Sequence, residues 1–482
     1  MLKSSLLEII RTFTKQELAK FEDFVRSPYF NKKENVTKLF LEIKKYAPEF
    51  KSENLEKEIV WQKIFSKVKY NYGIMKNLIF DLNKLAVKFI ELENYSEKKF
   101  DSEINIMEQY LSRKLLNSFE KKFGDANKFL SKEKPSADLY YQNFMLLKKQ
   151  LGYFNNNYKV KDIMNFDFAS LNENLHLHFF SSYFEINSIK ADNELHRNTD
   201  SDKNYYNNIL SVYEKSGFKN FYTEIYFHIF NIFYDPFNED NYHSLKNLYY
   251  ENFDKLTKND QHSISVILIH FCVNNSNVGK SSFAKEKFQY HKMMDDHNLF
   301  TPEDMDSYVD GHLILTTVIS ACAAEEFDWC NGFIEKYRSK LDPDKRDLFT
   351  NLAYTHLYFI KGGFEKALKY LSLCGNANGV DKINIKSYEI FLHYELGYYE
   401  ELKNLIDSNR HYLRNNNIIS DEFKIYYTNF IKAVNNLNEY RYKSKNVGAS
   451  EFDLTELKNF VTENPMKNKG WITKKLSELV NV

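Results

Sequence analysis

Glycine and proline are scarce, 14 and 7 among 482 residues, where average usage is roughly 7% and 5%. A sandwich or barrel needs frequent turn signals, and this chain lacks the punctuation for one. Cysteine is scarcer still: Cys272, Cys322, Cys330 and Cys374 are all there are. Their spacing matches neither a zinc site nor a secreted disulfide scaffold, which points to a reducing, cytoplasmic setting. No run of about eighteen apolar residues occurs, so no membrane span is expected. An excess of one charge is also missing, because 66 basic residues balance 66 acidic ones. That balance removes the bulk positive field of a general nucleic-acid or anionic-membrane binder. The opening Met1–Glu8 carries charge inside its first apolar turn and reads as part of a helix, not as a leader.

A repeat is present. Gly362-Gly363-Phe364-Glu365-Lys366-Ala367 and Gly397-Tyr398-Tyr399-Glu400-Glu401-Leu402 lie 35 residues apart, from the first Gly at 362 to that at 397. Each Gly closes one apolar helical pattern and each aromatic-Glu pair opens the next, so the unit is a helical hairpin that buries its apolar face only by stacking on neighbours. A degenerate earlier copy runs from Glu326-Phe327-Asp328-Trp329-Cys330 to Leu341-Asp342-Pro343. Helix starts near 219, 260, 302, 344, 382 and 419 give a period of roughly forty residues, within the range of helix-hairpin repeats. Thr301-Pro302-Glu303-Asp304 is a strong start signal, with a cap hydroxyl, proline at the first helical position and acids in the first turn.

The first hundred residues are signposted locally. Thr14 with Glu17 forms a capping box, flanked by Phe13 and Leu18 as a hydrophobic staple, and predicts a helix from Lys15 to Ser27-Pro28. Asn31 with Glu34 repeats the cap pattern and predicts a second helix toward Tyr46. Met75, Leu78, Leu82, Leu85 and Phe89 form an amphipathic stripe on a long helix. Between 101 and 218, helical patterns fall near 105–122, 137–152, 168–191 and 205–216. Phe452 to Val482, with Trp471, Ile472, Leu476 and Leu479, reads as a closing helix.

At the repeats, Tyr358, Gly362, Phe364 and Ala367 resemble the aromatic, turn glycine, aromatic and small crossing residue of a tetratricopeptide unit. Asn351, Tyr354 and Leu402 depart from that pattern. The whole chain also resembles an uncharacterised bacterial family that opens on a capped helix with a Ser-Pro-Tyr-Phe-Asn turn, here Ser27 to Asn31. That family ends in loose tetratricopeptide-like hairpins and a Trp-containing helix, here at Trp471. The expected fold is all-α, a right-handed α-solenoid of degenerate tetratricopeptide-like hairpins with an N-terminal helical domain. Its expected divisions are an N-terminal helical domain over 1–100, an irregular helical region over 101–218, the repeats over 219–440, and a linker with a capping helix over 441–482.

Several constellations invite chemistry. Asn277-Val278-Gly279-Lys280-Ser281-Ser282 resembles a phosphate loop preceded by a branched run, Ile264–Ile269, that could pass for its strand. The motif's first glycine falls on Asn274, and Thr257-Lys258-Asn259-Asp260 lies upstream, on the wrong side for a base-reading motif. A loop between helices is the simpler reading. Asp295, Asp296, His297, Glu303, Asp304, Asp306, Asp310 and His312 crowd together, yet without the spacing of a zinc or calcium motif. His176 and His178 point to different helix faces. Cys322 and Cys330 sit two turns apart on one face and read as fillers of a tight crossing. The 35 Tyr and 41 Phe follow helical spacing and read mainly as core.

No catalytic, metal or cofactor residues are therefore assigned. The expected function is a non-enzymatic scaffold that binds a protein or peptide in a solenoid groove, with Tyr358 and Tyr394 on first helices of hairpins as partner-binding candidates. Two alternatives accompany it. One is a ligand-sensing regulator whose N-terminal helices touch DNA, permitted by 20 Lys/Arg against 14 Asp/Glu in residues 1–100. The other is nucleotide binding at Asn277–Ser282.

Overall fold

Helix termini shape this chain more than anything inside its helices. In a computed structural model, residues 4–97, 99–197, 203–277, 280, 282–301, 308–375, 377, 379–415, 421–446 and 451–480 are described. Among them lie 24 α-helices and two short 3-10 turns. There is no strand among the described residues, and an isolated β-bridge joins Val309 to Leu341. The chain divides into two compact units, residues 1–133 with 138–176, and residues 134–137 with 177–482.

In the first unit, α1 (Ser5–Ile10), α2 (Lys15–Arg26), α3 (Glu34–Lys44), α4 (Lys57–Ile64) and α5 (Tyr72–Glu97) surround one core. The Thr14 box forms as expected, with the Thr14 N–H donating to Glu17 at 2.7 Å and the Glu17 N–H donating to the Thr14 hydroxyl at 3.1 Å. Met75, Leu78, Leu82 and Phe89 are buried, and Phe89 meets Phe13 and Phe21 at ring separations of 5.5 and 5.3 Å. Asn31 does not cap α3. Its amide donates to the Val25 carbonyl and the Thr37 hydroxyl while its side-chain oxygen accepts from the Lys33 N–H, so it ties the end of α2 to the start of α3. The Ser27–Asn31 turn is closed by the Asn31 N–H on the Ser27 carbonyl and by Phe30 stacked on Phe24 at 4.0 Å. A second core lies under α6 (Lys99–Ser112), α7 (Leu116–Leu130) and α8 (Ala137–Asn156). The pattern over 105–122 therefore covers two helices, divided at Lys114.

After α9 (Val160–Met164), α10 (Phe168–Arg197) and α11 (Lys203–Ser216) come paired helices. These are α12 (Phe221–Tyr234), α13 (Glu239–Asn252), α14 (Lys258–Asn277), α15 (Ser282–Asp296), α16 (Gly311–Ala323), α17 (Phe327–Arg338), α18 (Arg346–Ile360) and α19 (Phe364–Ser372). They continue with α20 (Gly379–Leu396), α21 (Tyr399–Asn415), α22 (Asp421–Asn446), α23 (Glu451–Glu463) and α24 (Lys469–Val480). The closing segment is thus two helices. Starts at 221, 258, 346, 379 and 421 fall near the expected ones. Residues 302–304 of the Thr301–Asp304 signal lie outside the described residues, and α16 begins at Gly311. From α12 to α22 each helix packs on the next, and alternate helices also touch, α12 on α14, α16 on α18 and α18 on α20.

One turn closes many of these helices. At Gly362 (φ 75°) the Gly363 N–H reaches back to the Tyr358 carbonyl and the Gly362 N–H to Phe359; at Gly397 (φ 75°) Tyr398 reaches His393 and Gly397 reaches Tyr394. This is the left-handed Schellman end of a helix. The same pair of bonds recurs at Lys114, Tyr158, Asn298 and Glu325, all at φ between 54° and 62°, where the residue is not glycine. An L side chain there costs about 1 kcal/mol or more. Helix crossings are also tight. A Cβ on Gly311 would lie 2.1 Å from a ring carbon of Phe349, so α16 can approach α18 there only without a side chain.

Exposed Glu325→Gly is accordingly expected to stabilise the fold by roughly 0.5–1 kcal/mol, and Gly397→Ala to destabilise it by about 1 kcal/mol, in urea unfolding. Gly311→Ala is expected to cost about 1–3 kcal/mol by overpacking against Phe349.

Candidate functional site

The two tyrosines named from sequence have different fates. Tyr358, half-buried on α18, lies parallel to Tyr370 at 5.5 Å, with the Lys366 ammonium 4.0 Å from its ring centre and donating to its hydroxyl at 2.7 Å. Tyr394, on α20, is only 4% exposed. Arg441 covers its ring at 4.8 Å and donates to its carbonyl at 2.6 Å, while Trp471 meets it edge-on at 5.2 Å. Burial pushes its phenol pKa up. The surface expected for a partner at Tyr394 is instead covered by the chain's own α24.

That covering is directional. Lys475 of α24 pairs with Glu395 at 2.7 Å with both side chains nearly buried, and the Trp471 indole N–H donates to Glu395 at 3.2 Å. Trp471 also sits 4.7 Å from Phe391. Beside Phe391 a cavity of about 300 Å³ opens among α16, α20, α22 and the turn before α24. Leu315, Ile319, Ile383 and Phe391 give it apolar walls, and Thr316, Asn384, Ser387, Tyr427 and Lys467 give it polar ones. Ser387 donates to Tyr427 at 3.1 Å, and His312 faces Asp381 at 3.5 Å. A larger cleft of about 620 Å³ between α22 and α23 mixes Lys432 and Lys443 with Glu439, Asp453, Glu456 and Glu463 and is open and polar.

The motifs resolve into ordinary structural roles. Ile264–Ile269 belongs to helix α14 and not to the strand a phosphate loop requires. Lys280 pairs with Glu239 at 2.6 Å, and Val278, Gly279 and Ser281 lie outside the described residues. Thr257 and Asp260 cap α14, and the Asp260 carboxylate also accepts from Tyr226 at 2.8 Å and Tyr222 at 3.3 Å. Of the acid–histidine crowd, Asp295 accepts from Lys336 and Tyr337 and Asp310 caps α16, while Glu303, Asp304 and Asp306 lie outside the described residues. His178 contacts the Ala137 carbonyl at 3.0 Å and His176 that of Asn172 at 2.7 Å. Cys322 and Cys330 do not share one helix. They face each other across the α16–α17 turn with sulfurs 3.9 Å apart, both buried, and the contact with Cys330 together with burial pushes the Cys322 thiol pKa up. In the N-terminal unit, Lys20, Lys33, Lys44 and Lys63 each pair with a carboxylate, which engages part of the basic excess.

Sequence reasoning missed the cavity because its polar residues come from α16, α20, α22 and the α23–α24 turn, up to 156 positions apart from His312 to Asn468. It also missed two desolvated histidines. His291 is fully buried, and desolvation, with the charge of Lys287, holds its pKa down at about 3. His356, against the Tyr388 hydroxyl at 2.8 Å, is held down at about 4, again by desolvation. The chain matches no protein-family model, no curated protein and no solved structure.

Both imidazoles fold neutral, so unfolding takes up protons once pH falls below their ordinary value of about 6.5. Stability is expected to be full above about pH 7 and to fall by roughly 2 kcal/mol per group at pH 5. Urea midpoints at pH 7.5 and 5.0 check this, and His291→Leu should remove part of the difference.

Proposed function

We propose that this chain is a non-enzymatic scaffold: a right-handed α-solenoid of degenerate tetratricopeptide-like hairpins behind an N-terminal helical domain, working in the cytoplasm and akin to the bacterial family it resembles. The observation that carries the reading is the packing of alternate helices. Helices α16, α18 and α20 touch in series, as do neighbours in sequence, and this nearest-neighbour pattern supports a stacked repeat. In such an array the first helices share an inner face on which a peptide or partner helix binds. Tyr358 on α18 remains a partner-facing candidate, half-buried and braced by Tyr370 and Lys366. Tyr394 serves this reading as the anchor of the closing helix α24.

Affinity capture from the native cell, with wild type and with Tyr358→Ala and Lys366→Ala, tests the scaffold. A stoichiometric partner held by wild type and reduced about tenfold or more by either folded variant is expected. Equal recovery with all three proteins would remove the inner face as the binding surface.

A further inference from the structure

The cavity between α16, α20 and α22 has a chemistry that a protein-binding face does not need. Its volume, about 300 Å³, lies at the lower end of the range for small-molecule sites. Its apolar lining includes Leu315 and Ile319 on α16 and Ile383 and Phe391 on α20. A water-filled cavity with such a lining is relieved by hydrocarbon, at about 25 cal/mol per Å² covered. Its polar lining comes from His312 and Thr316 of α16, Asn384 and Ser387 of α20, Tyr427 of α22, and Lys467 and Asn468 of the turn before α24.

Charge narrows the ligand. Among the described residues Lys467 and His312 line the cavity, and the nearest acid, Asp381, faces His312 at 3.5 Å, so a carboxylate entering the cavity meets an ammonium and an imidazole. An ammonium carries three donors, so a bond to the chain leaves others for a ligand. The turn that carries the lysine is held in place through its backbone. Its backbone N–H donates to the Tyr426 carbonyl at 3.2 Å, the Asn429 amide donates to the Pro465 carbonyl at 2.9 Å, and Asn468 turns the chain at φ 55°. Lys467 is exposed, and the partial desolvation that lowers its pKa is opposed by an arriving carboxylate.

We propose that this cavity binds an apolar group ending in a carboxylate, with the carboxylate on Lys467 and Asn384 and the hydrocarbon over Ile319, Ile383 and Phe391. The site is independent of the scaffold reading, since it needs no partner protein. Octanoate is the probe. Calorimetric titration of the full chain at pH 7.5 should show saturable binding of octanoate, with octanol weaker by about tenfold or more, the loss of a charged hydrogen bond. Lys467→Met should weaken octanoate by a similar factor without changing octanol. Ile319→Trp, which fills the apolar wall, should abolish both, with circular dichroism and melting confirming that each variant folds. A peptide with an apolar C-terminal residue, as free acid and as amide, separates the sources: free acid competing with octanoate while the amide does not keeps the chemistry and moves the carboxylate to a chain terminus. No saturable octanoate binding, octanol equal to octanoate, or affinity unchanged in both variants would overturn the proposal.

Discussion

The structure depends on how its helices stop. A helix that ends in a left-handed residue turns the chain back while two of its last carbonyls are satisfied by N–H groups just beyond the helix. Among the described residues six ends show both of these bonds, and at two of them, Gly362 and Gly397, the left-handed residue has no Cβ. Lys114, Tyr158, Asn298 and Glu325 hold the same geometry against the Cβ penalty, so the packing of the flanking helices must outweigh it. A long helical chain can therefore reverse many times while containing very little glycine.

Reversal by so short a turn forces neighbouring helices into contact, and the contact decides which side chains fit. Gly311 against Phe349 is the tightest case. Elsewhere the crossings are filled by tyrosines whose hydroxyls find partners inside: Tyr242 with Tyr290 at 2.9 Å, Tyr249 with Ser265 at 2.8 Å, Tyr213 with Glu224 at 2.7 Å. A buried phenol is tolerable only when so bonded. Many of the tyrosines are thus interior, Tyr213, Tyr242, Tyr249, Tyr290 and Tyr427 among them, and tyrosine number alone says little about a binding surface.

Short-range features are legible in such a chain. The all-helical class, the capping box at Thr14, the stripe on α5 and the spacing of later helix starts are all set by residues within a turn or two of one another. The division of the 105–122 pattern is illegible because lysine at position 114 gives no turn signal, although it adopts φ 57°. Asn31 misleads for a related reason: an Asx side chain just ahead of a helix looks like a cap, and only the approach of Val25 and Thr37 shows the tie it makes. Cys322 and Cys330 look like neighbours on one helix because Glu325, the residue at the break, resembles a helix former.

The candidate site is illegible for a deeper reason. Tyr394 lies on a first helix, where the repeat pattern points to an inner face, but that pattern carries no information about the segment beyond the last hairpin. There α24 arrives with Trp471 against Phe391 and Tyr394, and with Lys475 on Glu395. A nearly buried ion pair adds little net stability but strongly disfavours any other placement of the helix. Its position is thereby specified, and the turn that leads into it sets Lys467 and Asn468 at the edge of the α16–α20 cavity. Helices α16 and α20 supply the apolar residues, and the turn before α24 supplies the ammonium. No window of sequence shorter than that from Ile319 to Lys467 contains the whole set.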